Sequence, residues 1–143
     1  HKEYRRQRQM CIRDRVSNEP LPTSLKKSIG GMSSIRGYQE REAYGDSGVS
    51  MNFEYSFPSE VSTVFGLEGS FQNLFFYDAG HVSNEGLMTS ANNSIGMQSF
   101  GAGIIGNFED TADISLQVGV PLTDTLNTRT HDARTHFSIN FRF

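Results

Sequence analysis

Between Val49 and Phe57 every second residue is apolar. Val49, Met51, Phe53, Tyr55 and Phe57 share one parity; Ser50, Asn52, Glu54 and Ser56 share the other. A period of two sends successive side chains to opposite faces of an extended chain, so this segment predicts a strand over 49–57. Pro58 ends it, because proline has no N–H to give to a ladder. Four further runs follow. In 73–82, Phe75, Tyr77 and Ala79 oppose Phe76, Asp78 and Gly80. In 99–108, Phe100, Ala102 and Ile104 are in phase. In 112–122, Ile114, Leu116, Val118, Val120 and Leu122 alternate with Asp113, Ser115, Gln117 and Gly119. In 135–143, Phe137, Ile139, Phe141 and Phe143 alternate with His136, Ser138, Asn140 and Arg142. The expected fold class is all-β and antiparallel, with five strands.

The connections sharpen this. Glu109-Asp110 reads as a tight turn, whereas 83–96 and 123–134 are long and polar. With neighbouring strands antiparallel, the long loops fall at one end of the sheet and the short turn at the other, although 58–72 is long for a short-turn position. That segregation is the habit of an outer-membrane barrel, and aromatics near the ends of the apolar faces suit its interfacial girdles. A soluble β-sandwich or lipocalin-like barrel is the alternative that alternation leaves open.

Composition excludes some classes. No apolar run is long enough for a spanning helix, while a spanning strand needs only alternation. Residues 1–15 carry six basic and two acidic side chains; the rest of the chain carries seven and fourteen. A basic arm suits nucleic acid or an anionic surface, but MCIRDR (10–15) is similar to translated sequencing-adapter read-through. Residues 1–15 are therefore set aside as non-native, no nucleic-acid partner is expected, and the natural chain is expected to extend further at its N-terminal side. Residues 1–27 are expected to be poorly ordered. The one cysteine, Cys11, offers no disulfide framework.

Candidate chemistry is sparse. His81, His131, Asp132 and His136 show no ligand spacing, and no nucleophile-elbow motif accompanies them. GGMSSIRG lacks the Lys-Ser/Thr of a phosphate loop. No catalytic residue, metal or cofactor is expected.

Two motifs narrow the field. SIGGMSSIRGYQE, with Ile35, Arg36, Gly37 and Tyr38 at its centre, resembles the lid-loop motif of the polypeptide-transporting BamA-like outer-membrane barrels. FFYDAG resembles their second motif, Phe-x-Asp-x-Gly, through Phe76, Asp78 and Gly80. The end of the chain, with Phe137, Ile139, Phe141 and Phe143, resembles their C-terminal targeting signal. Over residues 28–143 the chain looks most like the ShlB/FhaC/HecB (TpsB) branch. The resemblance implies a sixteen-stranded barrel, of which this is a C-terminal part: a lid loop (28–48) and five strands. POTRA domains would precede it and capture a secreted exoprotein of haemolysin or adhesin type, which the barrel passes across the outer membrane. Further implied partners are outer-membrane lipid and the barrel-assembly machinery. It also implies that Arg36 pairs with Asp78 inside the lumen. A barrel-assembly factor and a soluble β-sheet binding module are the alternative functions.

Overall fold

The computed structural model describes residues 7–58, 62–64, 67–85, 94–108 and 112–141. The strands are β1 (Gln7–Arg15), β2 (Lys27–Ile29), β3 (Ala43–Gly45), β4 (Ser47–Pro58), β5 (Ser62–Val64), β6 (Leu67–Ser83), β7 (Ser94–Phe108), β8 (Ala112–Pro121) and β9 (Arg134–Phe141). A single turn of 3-10 helix, Thr23–Leu25, precedes β2. The main sheet runs β1-β4-β6-β7-β8-β9, with β5 paired to the start of β6; β2 and β3 form a separate hairpin. Every pairing is antiparallel.

Register converts the alternation of single strands into two continuous faces. Tyr55, Phe75, Ala102 and Val118 stand opposite one another in one row, and Phe53, Tyr77, Phe100 and Val120 in the next. Phe57 stacks on Phe75 with ring centroids 5.9 Å apart. These rows form the outer face, where Phe53, Phe75, Tyr77, Phe100 and Val118 are exposed and Tyr55 and Val120 half-buried. The other parity brings Asn52, Asp78, Ser99 and Pro121 into one row and Glu54, Phe76, Gly101 and Gly119 into another. On this inner face lies the segment between β1 and β4. The buried apolar cluster is formed there: Ile29, Ile35, Tyr38 and Ala43 pack on Val82 and Met97. The core thus joins a loop to a wall rather than one sheet to another.

Two features go beyond the expectations. Among the described residues the sheet carries the five expected strands and a further long one, β1, which pairs residue for residue with β4 from Gln7↔Ser56 to Arg15↔Gly48. That pairing uses backbone groups, so it needs little from the side chains. Residues 7–27 are also ordered: the Ser17 N–H donates to Ser47 Oγ at 2.9 Å, and the Leu21 N–H donates to Asp46 Oδ1 at 2.8 Å. The strands outrun the alternation as well. β6 begins at Leu67 and β7 at Ser94, where glycine and polar residues hide the period. The turn expected at Glu109-Asp110, much of the 83–96 connection, and the terminal Arg142 and Phe143 lie outside the described residues.

Candidate functional site

The segment leaving β1 descends, forms the β2–β3 hairpin and presents a tip between Gly30 and Arg41. Gly30 and Gly31 have φ of 111° and 88°, a region open to glycine at little cost. They fold the chain so tightly that a Cβ on Gly31 would overlap the Glu40 carboxyl at 2.1 Å. Glu40 Oε1 meanwhile accepts the Met32 N–H at 2.7 Å, and the Arg41 N–H donates to the Gly30 carbonyl at 3.3 Å. This closed neck turns Ile35, Arg36, Gly37 and Tyr38 onto the inner face, where all four are buried.

Arg36 bridges the tip to three wall strands. Its Nε donates to Asp78 Oδ2 at 2.7 Å and its Nη2 to Asp78 Oδ1 at 2.7 Å. This is the two-pronged contact that a guanidinium makes with a carboxylate. The Arg36 backbone N–H adds a third bond to Asp78 Oδ2 at 3.1 Å. Nη1 donates to Glu54 Oε1 on β4 at 2.5 Å and to Gln117 Oε1 on β8 at 3.0 Å. The guanidinium carbon lies 3.7 Å from the centre of the Phe76 ring, a cation–π stack in a water-poor place. Asp78 is fully buried and the Arg36 side chain nearly so, while Glu54 keeps a third of its side chain exposed. One cation among two carboxylates leaves the cluster with net negative charge. Asn52 Nδ2 answers part of it by donating to Asp78 Oδ1 at 3.0 Å, and it also donates to the Ser34 carbonyl.

Glycines on the wall make room for this approach. A Cβ on Gly80 would meet Ile35 Cδ1 at 2.7 Å, and one on Gly101 would meet the Phe76 ring at 2.3 Å. At Gly119 it would lie 2.6 Å from the Gly37 nitrogen. The Gly37 N–H donates to His136 Nε2 on β9 at 3.0 Å, so that nitrogen is unprotonated. Tyr38 Oη lies 2.8 Å from the carbonyls of both Gln98 and Thr123 and accepts the Thr123 N–H at 3.1 Å. Glu42 takes hydroxyl hydrogen bonds from Thr125 and Thr128, the latter at 2.7 Å. The tip is thereby tied to the 122–133 connection as well as to the wall.

A second carboxylate sits where the hairpin joins β4. Asp46 is fully buried and 3.2 Å from Lys26 Nζ. Its Oδ1 accepts the Leu21 N–H at 2.8 Å and its Oδ2 the Glu85 N–H at 2.9 Å. The Leu21 N–H contributes most to holding this carboxyl below the ordinary carboxylate range, with Glu85 and Lys26 acting in the same direction against desolvation.

The residues singled out from sequence divide into two groups. Ile35, Arg36, Gly37, Tyr38, Phe76, Asp78 and Gly80 come together. Phe137, Ile139 and Phe141 stand exposed on the outer face, away from the lid, and Phe143 is not described. Asn52, Glu54, Gln117, His136, Glu42 and Asp46 complete the site without having been expected in it. The first four share the polar parity of Asp78, and only register brings them into reach. His81 and His136 fall on opposite faces, so the histidines do not gather.

No helix among the described residues is long and apolar enough to cross a membrane, which says nothing of strands. The sequence model of the family described as haemolysin secretion/activation protein ShlB/FhaC/HecB matches residues 7–106. The heme/hemopexin transporter protein HuxB of Haemophilus influenzae strain 86-028NP is 30% identical over 124 residues, covering 81% of this chain and 20% of that protein. HuxB of strain ATCC 51907 / DSM 11121 / KW20 / Rd is 29% identical over 122 residues, with the same coverage. The chain therefore spans about a fifth of the length of these curated relatives. With two motifs, an antiparallel wall and a family match over most of its length, the chain belongs to the ShlB/FhaC/HecB haemolysin secretion/activation family.

Proposed function

We propose that this chain is the C-terminal part of an outer-membrane barrel that passes an unfolded exoprotein outward in two-partner secretion, and that Arg36 latches its lid to the lumen wall. The observation that carries the proposal is the reach of one side chain: Arg36 binds β4, β6 and β8 from a loop that blocks the inner face. The outer face supports a lipid environment, because Phe75, Phe137 and Phe141 are each more than half exposed on it. The likeness to heme/hemopexin transporter proteins adds an exoprotein of heme or hemopexin transport to the haemolysin and adhesin classes of cargo. POTRA domains of the full-length transporter would select that cargo, and the barrel-assembly machinery would insert the protein.

The test is secretion of a cognate exoprotein by the full-length transporter carrying Arg36→Ala, Asp78→Ala, or the exchange Arg36→Asp with Asp78→Arg. Both single variants are expected to impair regulated export to a similar degree, the double alanine variant to be no worse than either, and the exchange to recover part of the loss. Fully additive losses would show that the two residues act separately. Normal secretion with failed insertion of other barrels would favour an assembly factor.

A further inference from the structure

Asp46 and Arg36 hold the same lid by different means. At Asp46 two of the three partners are backbone N–H groups, from Leu21 and Glu85. Such donors cannot rotate away; release requires movement of the main chain itself. The third partner, Lys26, is fixed in turn, since its Nζ also donates to Asn84 Oδ1 at 2.7 Å. Asn84 Nδ2 closes the circuit on the Tyr44 carbonyl at 3.1 Å. One buried carboxylate thus binds the descending limb, the hairpin stem and the segment after β6. The stem adds apolar anchorage, with Ile29 and Ala43 buried against the wall.

Arg36 has one backbone bond to the wall, its N–H to Asp78 Oδ2 at 3.1 Å, but its other bonds run from its guanidinium to wall side chains, and one of these partners, Glu54, is partly solvated. Between the two nodes lies the neck, where Gly30 and Gly31 on one limb and Arg41 on the other all have positive φ. A few such positions can absorb a large rotation while the elements on either side stay rigid.

We infer that Asp46 is the fixed pivot of the lid: release of Arg36 frees the tip, residues 32–40, while the β2–β3 stem stays docked. Asp46 is then a positioning residue that keeps the lid within reach of its latch. This rests on the latch reading of Arg36, and the experiment separates the two.

The full-length transporter, in a Cys11→Ser background and in native outer-membrane vesicles, carries a reporter cysteine at a buried position of the tip (Ile35→Cys) or of the stem (Ala43→Cys). Modification rates with a membrane-impermeant maleimide are compared. Arg36→Ala is expected to raise the tip rate about tenfold or more, as loss of a buried ion pair shifts an opening equilibrium, and to leave the stem rate unchanged. Asp46→Asn is expected to raise the stem rate, with Asp46→Glu restoring part of the protection. Heat-modifiability on gels verifies that each barrel is assembled, and Lys26→Met, which spares the carboxylate, serves as a milder second variant. A stem freed by Arg36→Ala as fully as the tip would overturn the pivot. So would a stem indifferent to both Asp46→Asn and Lys26→Met. A tip indifferent to Arg36→Ala would overturn the latch alone, leaving the pivot to stand on its own variants.

Discussion

Phe75 and Phe76 are neighbours on β6 and lie in different surroundings. Phe75 is 55% exposed among other aromatic and aliphatic side chains on the outer face, whereas Phe76 is 4% exposed beneath a guanidinium. The contrast extends across the sheet. Its outer face displays Phe53, Phe100, Ile104 and Phe137, and its inner face buries Arg36, Asp78, Ser99 and Gln117. A water-soluble protein places its groups the other way round. An arrangement with charge inside and aromatics outside is stable when the outer solvent is hydrocarbon and the inner charges satisfy one another. The lid supplies that satisfaction, so the same loop that blocks the inner face also makes its charges tolerable.

The largest effect expected from breaking this contrast comes from Asp78→Ala. Removing one partner of a buried pair costs about 3–5 kcal/mol, because the remaining charge is stranded. Here the loss is limited by escape: once the tip lifts, Arg36 regains water. Amide hydrogen exchange in the full-length protein should therefore show protection lost over residues 30–42 while the strands keep theirs. The matching change on the other face is Phe75→Arg. In a bilayer it should cost about 2–4 kcal/mol of barrel stability near the midplane, measured by denaturant unfolding in vesicles, and leave exchange in the lid alone. A neutral Phe75→Arg would mean that the outer face meets water, and the comparison would collapse.

Glycines offer a second, smaller contrast. An alanine Cβ at Gly119 would press on the Gly37 nitrogen at 2.6 Å and the Arg36 carbonyl carbon at 2.8 Å. Both are backbone atoms, so no rotamer relieves the contact. Gly119→Ala is expected to weaken lid docking by about 1–3 kcal/mol, the usual range for overpacking. A Cβ on Gly96, on the outer face, would have His81 Nδ1 at an ordinary 3.6 Å as its nearest neighbour among the described residues, and Gly96→Ala should be close to silent. Exchange rates in the tip read both. Equal responses at the two positions would remove the claim that inner-face glycines exist to admit the lid.

Part of this was legible in the sequence, for physical reasons that differ from residue to residue. Phe75 and Phe76 fall on opposite faces because period two is a local property, visible within ten residues. Asp78 is on the polar face by the same count. Its meeting with Arg36 across 42 positions has no local signature; the resemblance to a lid motif suggested it. Glu54, Gln117 and His136 carried the right parity, yet which of them come within reach depends on strand register, and register depends on turns that the alternation does not specify. β1 carries little signature of a strand: its charged sequence alternates weakly, and MCIRDR within it is similar to adapter read-through rather than to a native segment. Asp46 left no trace at all. Two of its partners are backbone N–H groups, which every residue but proline possesses.

The smallest of the contrasts concerns Gln98, which two tyrosines hold from opposite sides. From the inner face Tyr38 Oη lies 2.8 Å from its carbonyl; on the outer face Tyr77 Oη is 3.0 Å from its side-chain Oε1. Tyr38 is 1% exposed and Tyr77 39%. Deleting the buried hydroxyl in Tyr38→Phe removes a partner from the backbone of both β7 and the 122–133 connection. Unsatisfied buried groups cost about 1–3 kcal/mol, and here the Gln98 carbonyl keeps a second donor, the Leu122 N–H at 2.8 Å. The lower end of that range is therefore expected, read as faster exchange at Thr123 and along the tip. Tyr77→Phe loses a hydrogen bond on the exposed face and should change stability by no more than about 0.5 kcal/mol, as surface substitutions do. If Tyr77→Phe proves the costlier of the two, the outer hydroxyl is not peripheral, and the division of labour between the faces at β7 is wrong.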